Sequence, residues 1–329
     1  MDRTLLQEVL AARGEPAYRA RQVWAWLAGG ARSYGQMTNL PSSLREELER
    51  AVPLSTLTLE REAHSRDGTV KALLRTTRGT PVEAVLMRYR DGRRSLCLSS
   101  QSGCPLTCEF CATGQMRFAG NLSADEILDQ ALHFRRIDRL DHAVFMGMGE
   151  PMLNLDAVLA ACEQLPDLGV THRRTAISTV GWIPGIERLT ASGLPIRLAL
   201  SLHAPEDALR STLMPVNLRY PLADVLAACR AHHAARRRTV FVEYVMLAGI
   251  NDRYQQALEL AALLVPREAF KVNLIPYNPT ASRFEGSGRD AIAAFRAALE
   301  SRGVRVTVRL TRGQDIDAAC GQLAGAAAA

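Results

Sequence analysis

Three cysteines stand close together in Cys104-Pro-Leu-Thr-Cys108-Glu-Phe-Cys111, a C-x3-C-x2-C spacing. Three thiolates so placed can hold three irons of a 4Fe–4S cube and leave the fourth iron open to a small molecule. The competing reading is a structural zinc site. Zinc usually takes four closed ligands, and no fourth Cys or His lies close to this run. The spacing therefore favours a cluster with one open iron, where an amino and a carboxylate group of S-adenosylmethionine (SAM) can chelate. One electron delivered to the bound sulfonium would cleave it to a 5′-deoxyadenosyl radical.

The other four cysteines are scattered. Cys162 and Cys229 fall within amphipathic helical patterns and are expected to be buried and inert. Cys97 lies in a strand-like run seven residues before Cys104, so it can reach the cluster face. Cys320 stands beside Gly321 in a loop, and spacing alone does not pair it with Cys97. An odd count of seven, three of them grouped, argues for metal or redox chemistry in a reducing compartment rather than a disulfide framework. That makes the cytoplasm the expected location. A further motif, Gly147-Met148-Gly149-Glu150-Pro151, follows a strand-like run; its glycines permit close backbone approach and Glu150 can accept hydrogen bonds from a cationic amine.

These residues need a scaffold, and the chain supplies an alternation. Strand-like runs at 95–99, 142–146, 175–178, 196–201, 240–246, 271–275 and 304–309 alternate with helical patterns at 123–134, 155–164, 221–233, 254–264 and 289–301. Such repetition predicts an α/β fold, a partial or full parallel (β/α) barrel with helices outside. The active face of a parallel barrel is at the carboxyl ends of its strands. Segments 103–115, 147–151, 178–179, 201–203 and 276–279 all fall at or just after such ends, so five segments can converge on one face.

Upstream, residues 1–52 read as a small helical domain, with Ser42-Ser43-Leu44-Arg45-Glu46 resembling a capped helix start. Its Arg19, Arg21, Arg32 and Arg45 are candidates for touching RNA, although a solvated helix face is the plainer account of each. Residues 53–95 read as a β-rich connection carrying Glu83, with hairpin turns at Arg66-Asp67-Gly68-Thr69 and Arg90-Asp91-Gly92-Arg93. The barrel with its Cys320 loop spans 96–323, and 324–329 is a short low-complexity tail. Lys and Arg number 40 against 34 Asp and Glu, a net charge of +6. A mild basic excess suits a polyanionic partner, and equally an ordinary soluble protein. No apolar run is long enough to span a bilayer, and the first 20 residues lack the apolar stretch of a secretory signal, so no membrane partner is expected.

Cys97 through Gln115, ending in Cys111-Ala112-Thr113-Gly114-Gln115, together with Gly149-Glu150-Pro151, Ser201-Leu202-His203-Ala204-Pro205 and the Cys320 segment, resembles the radical SAM ribosomal and transfer RNA adenine-C2 methyltransferases. The resemblance covers nearly the whole chain. It implies a radical SAM enzyme carrying a 4Fe–4S cluster on Cys104, Cys108 and Cys111 and using two SAM molecules per turnover. One SAM methylates the thiolate of Cys320. The second is reductively cleaved, and its radical takes a hydrogen from the S-methyl group. The methylene radical adds to adenine C2, an electron-poor carbon that no sulfonium methyl could attack directly. Glu83 is implied as the base that removes the C2 proton, and Cys97 as the thiol that resolves the protein–RNA adduct through a transient disulfide with Cys320. Gly149, Glu150, Ser178, Ser201, Leu202, His203 and Asn278 match SAM-contacting positions.

The implied partners are 23S ribosomal RNA, with transfer RNA as an open second substrate, and a one-electron donor such as a flavodoxin. The sister family that methylates C8 of the same adenine is the nearest alternative. A zinc-containing RNA-binding protein without catalysis is an alternative of another class. Arg117 stands where the family usually has glycine, and Gly120 where it usually has arginine, which leaves RNA contacts of that loop open.

Overall fold

The computed structural model describes residues 1–325, so residues 326–329 of the expected tail lie outside it. Ten strands form one sheet, paired in chain order: β1 (Leu57–His64), β2 (Val70–Thr76), β3 (Pro81–Arg88), β4 (Arg94–Cys97), β5 (His142–Phe145), β6 (Thr175–Thr179), β7 (Arg197–Ser201), β8 (Val240–Met246), β9 (Phe270–Pro276) and β10 (Val306–Val308). From β4 to β10 every pairing is parallel. The first four strands pair antiparallel as a meander. The sheet is open, because β10 hydrogen-bonds only to β9 and β1 only to β2. Of the two expected forms the chain adopts the partial barrel.

The strands follow their residue types. Side chains alternate across a strand: Val240, Val242, Tyr244, Val272 and Leu274 on one face of β8 and β9 are fully buried, while Phe241, Lys271 and Asn273 on the other are half-buried. Both Asp-Gly turns close hairpins, Gly68 at φ +86° and Gly92 at φ +85°. Helices α1 (Arg3–Ala12), α2 (Tyr18–Ala28) and α3 (Ser42–Ala51) come before the sheet. Helix α3 starts at Ser42 with Pro41 in the cap position, so the expected serine cap is absent. Leu6, Leu27, Leu44 and Leu48 from these helices join the same apolar core as Leu128 and Phe134.

Between the strands run α4 (Ala124–Arg135), α5 (Leu155–Gln164), α6 (Ile183–Ala191), α7 (Asp207–Leu213), α8 (Leu222–Arg236), α9 (Tyr254–Leu263) and α10 (Arg289–Ser301). Ser123 and Glu126 form a reciprocal capping box at the start of α4, which fixes where it begins. The sequence reading missed α6 and α7. Ile183-Pro-Gly looks like a turn, but proline in a first helical turn loses no hydrogen bond there. Among the described residues no helix is long and apolar enough to cross a membrane.

Candidate functional site

The five segments meet. Cys104, Cys108 and Cys111 line one cavity of about 160 Å³ with Gly147, Gly149, Glu150, Ser178, Ser201 and His203. Each non-cysteine member follows or ends a parallel strand, so adjacent βα turns supply one face of the cavity and the cysteine loop the other. Phe110, between two of the cysteines, packs edge-on against His203 with ring centroids 4.8 Å apart. This contact ties the loop to the end of β7. Burial raises the pKa of all three thiols, which bound metal would reverse by favouring the thiolates. Among the described residues no three His, Cys, Asp or Glu side chains are arranged to hold a single metal ion. Three thiols lining one cavity suit a 4Fe–4S cluster, in which each thiolate binds its own iron.

Glu150 is buried, and its carboxylate accepts from the N–H of Met152 at 3.1 Å and of Val180 at 3.0 Å. Burial pushes its pKa up to about 7 against these bonds. No cationic side chain compensates it among the described residues, so a ligand ammonium would suit this carboxylate. Gly149 sits at φ +92°, and a Cβ there would come within 2.4 Å of Gln101. The Gln101 amide in turn accepts from Glu150 N at 2.9 Å. Ser178 Oγ and Ser201 Oγ lie 3.3 Å apart. His203 adopts φ +60°, and its Nδ1 accepts from Val245 N at 3.0 Å. Burial, then the charge of Arg210, lowers its pKa to about 3, so it is a neutral imidazole.

Two of the expected SAM-contacting residues do not line this cavity. Leu202 is wholly buried and holds the strand end, donating to Glu243 O and accepting from Arg210 Nε. Asn278 lines a neighbouring cavity with Cys97 and Cys320, and its Nδ2 donates to Cys320 O at 3.1 Å. Its buried Oδ1 has no hydrogen-bond partner among the described residues.

Cys320 lines both cavities, while Cys97 lines only the second. Backbone bonds seat the Cys320 segment on the cysteine loop: Ala112 N donates to Gly321 O at 2.8 Å and Thr113 Oγ1 to Leu323 O at 2.6 Å. The hairpin turn after β1 clamps the same segment further upstream, Gly313 N donating to Asp67 Oδ2 at 3.0 Å. All seven cysteines are free thiols. Burial, then the neighbouring Cys320, raises the Cys97 pKa to about 12. Cys162 and Cys229 are fully buried in α5 and α8.

Glu83 lines neither cavity. It is fully buried in β3, paired with Lys71 at 3.0 Å, and its Oε2 accepts from Ala324 N at 2.8 Å and Gly325 N at 3.1 Å. The end of the Cys320 segment thus covers it.

Three charged residues escaped the sequence reading. Arg210 is completely buried and donates to the carbonyls of Leu202, Ser201 and Val180 and to Asn217 Oδ1. It locks the turns after β6 and β7. Glu243 and Arg309 line the main cavity and pair at 3.4 Å. The neighbouring Cys320 is the largest influence raising the Arg309 pKa. A signal existed for Glu243, the single acidic residue inside an otherwise apolar central strand. The departure at Arg117 falls in the return loop beside Gly103, where Ala119 N donates to Ser102 O at 2.8 Å.

An open parallel sheet with three cysteines at its carboxyl rim defines a radical SAM protein, and residues 98–261 match the model described as the radical SAM superfamily. Residues 1–53 match the model of the ribosomal RNA large subunit methyltransferase N-terminal domain. The chain is 47% identical to the probable dual-specificity RNA methyltransferase RlmN of Chloroflexus aurantiacus, covering 97% of this chain and 90% of that one. Against its counterpart in Thermus thermophilus the identity is 45%, over 97% and 92%. A crystal structure of a radical SAM methyltransferase from Sphaerobacter thermophilus superposes with a TM-score of 0.93 at 43% identity, covering 99% of this chain and 98% of that one. The chain belongs to the RlmN family of dual-specificity RNA methyltransferases. It is a radical SAM enzyme that acts on RNA.

Proposed function

We propose that this enzyme methylates C2 of an adenine in 23S ribosomal RNA, and in transfer RNA as a second substrate, through a methyl carried on Cys320. The observation that carries the reading is the position of Cys320. It borders the cavity of the three cluster cysteines on one side and the cavity of Cys97 on the other. A methyl carrier needs access to both the radical source and the thiol that releases it.

Cys104, Cys108 and Cys111 would hold a 4Fe–4S cluster, which when bound supplies the electron that cleaves SAM. Glu150 would hold the SAM ammonium, with Gly149, Ser178, Ser201 and His203 shaping the wall around it. Arg309 stands beside Cys320, whose thiolate is the form able to accept a methyl group. Cys97 then attacks the Cys320 sulfur, the sulfur–carbon bond to the RNA base breaks, and the resulting disulfide is reset by external reductant. Glu83 is assigned the C2 proton; residues 324–325 must first leave its carboxylate. Two SAM molecules are consumed per turnover, one as methyl donor and one as radical source. A one-electron donor such as a flavodoxin serves each turn, and the free thiols suit the reducing cytoplasm. The N-terminal helices are proposed to contact RNA.

Nucleoside digests of ribosomal and transfer RNA from cells with and without the gene test the proposal. Gene-dependent 2-methyladenosine is expected. Gene-dependent 8-methyladenosine in its place would assign the protein the sister chemistry.

A further inference from the structure

The far end of the sheet, where the parallel strands begin, carries a second charged concavity of about 330 Å³. Its walls hold Arg173 before β6, Arg197 opening β7, Arg237 and Arg238 before β8, Lys271 in β9 and Arg305 before β10. Among the described residues none of these six is paired with a carboxylate. Arg305 donates to the carbonyls of Glu268 and Phe270, and the Arg197 guanidinium sits 4.5 Å over the ring of Phe241. Arg197 and Arg238 are half-buried, and burial lowers both their pKa values. Arg238 is further depressed by Arg197, Arg173 and Arg236. The neighbouring His142, which opens β5, faces Arg93, Arg174 and Arg197, with Asp141 as the opposing acid. Asp141 is already engaged by Arg94 N at 2.8 Å and by Arg139 at 3.2 Å.

In the N-terminal region Arg19 pairs with Glu15, while Arg32 donates to Arg136 O and Arg45 to Gly35 O. At this rim the half-buried Arg197, Arg238 and Lys271 are crowded beside the exposed Arg173, Arg237 and Arg305, and among the described residues none of the six pairs with a carboxylate. That arrangement is unfavourable until an anion fills it. The cations span the starts of five adjacent strands, an arc of about 20 Å at the usual strand spacing. Such an arc fits several consecutive phosphates better than one small anion.

We propose that this rim is a second RNA-binding surface, which takes the sugar–phosphate backbone of the substrate at a site separate from the cavity where the base reacts. The proposal rests on the enzyme acting on RNA and not on which adenine carbon is methylated. Strands β8 and β9 are seven residues long, so about 23 Å of sheet separates the two ends. A short hairpin seated at the reactive face has little backbone left to follow the sheet edge to the far rim; a large folded RNA has more. Phosphate contacts of this kind carry affinity and orientation without reading sequence.

The test compares the enzyme with R173Q/R197Q/R238Q and with the charge-retaining R173K/R197K/R238K. None of the three side chains donates a hydrogen bond among the described residues, and thermal melts check that each variant folds. Binding is measured by fluorescence anisotropy at several salt concentrations, with large-subunit ribosomal RNA and with a hairpin of about 20 nucleotides containing the reactive adenine. For the long RNA, the glutamine variant should bind ~10-fold or more weakly at 0.1 M salt. Its slope of log affinity against log salt should flatten by roughly 2, at 0.7–0.9 per lost phosphate contact. The lysine variant should stay near wild type, and hairpin binding should not change. Unaltered long-RNA affinity and slope in the folded glutamine variant would overturn the proposal, as would an equal loss on the hairpin. A melting shift with inorganic pyrophosphate that the glutamine variant loses, beside unchanged RNA binding, would also overturn it in favour of a small-anion site. Wild-type enzyme that binds neither RNA would instead count against the RNA assignment itself.

Discussion

The two ends of the parallel sheet handle charge in opposite ways. At the carboxyl rim nearly every charged group has an assigned internal partner. Arg210 is spent on three carbonyls and an amide, Arg309 on Glu243, and Glu83 on Lys71. Glu150 is the exception, bonded to backbone N–H groups but to no cation. At the amino rim six cations have no carboxylate partner among the described residues. The first end is the one proposed to hold a small cationic ligand, at Glu150. The second, with no ion pair among its six described cations, is the end proposed to take an external polyanion. Unsatisfied charge thus marks ligand sites at both ends, with opposite sign.

The largest expected effect tests the carboxyl rim. Cys108→Ser should remove most iron from anaerobically purified protein and abolish SAM cleavage under dithionite. Normal iron content in this variant would break the assignment of the cysteine loop. Next, Cys97→Ala should accumulate a covalent protein–RNA adduct on denaturing gels, whereas Cys320→Ala should form none. An equal absence of adduct in both would strip Cys97 of its resolving role.

Smaller effects sharpen the contrast between the rims. Arg210→Met leaves several buried carbonyls without a donor, and at about 1–3 kcal/mol for each unsatisfied group it should destabilise by at least ~3 kcal/mol in denaturant melts. Arg238→Gln should fall within about 0.5 kcal/mol of wild type, because it removes repulsion and breaks no hydrogen bond. Comparable losses in the two variants would erase the distinction. Asp67→Asn weakens the hold on Gly313 and should cost roughly 1 kcal/mol, with faster hydrogen exchange confined to residues 312–320.

Much of this architecture was legible before any coordinates. Strand–helix alternation located all seven parallel strands to within two residues at either end, because apolar period and turn residues are local. It failed at α6, where Pro184 and Gly185 imitate a turn, and at Pro41, which displaced the expected serine cap. The candidate site residues divide similarly. Those beside a strand end came together in the main cavity. Asn278 went instead to the Cys97 side, and Leu202 turned inward, since only side-chain direction separates neighbours in a turn.

The sequence by itself determined the thiol spacing, the strand order implied by alternation, and the positions able to approach a ligand closely. All of these are properties of short stretches. Only the tertiary structure decided which loops share a cavity, that residues 324–325 cap Glu83, and that six cations far apart in the chain gather at one rim. The physical reason is that burial and electrostatic pairing depend on neighbours distant along the chain, and those neighbours are set by how strands stack side by side.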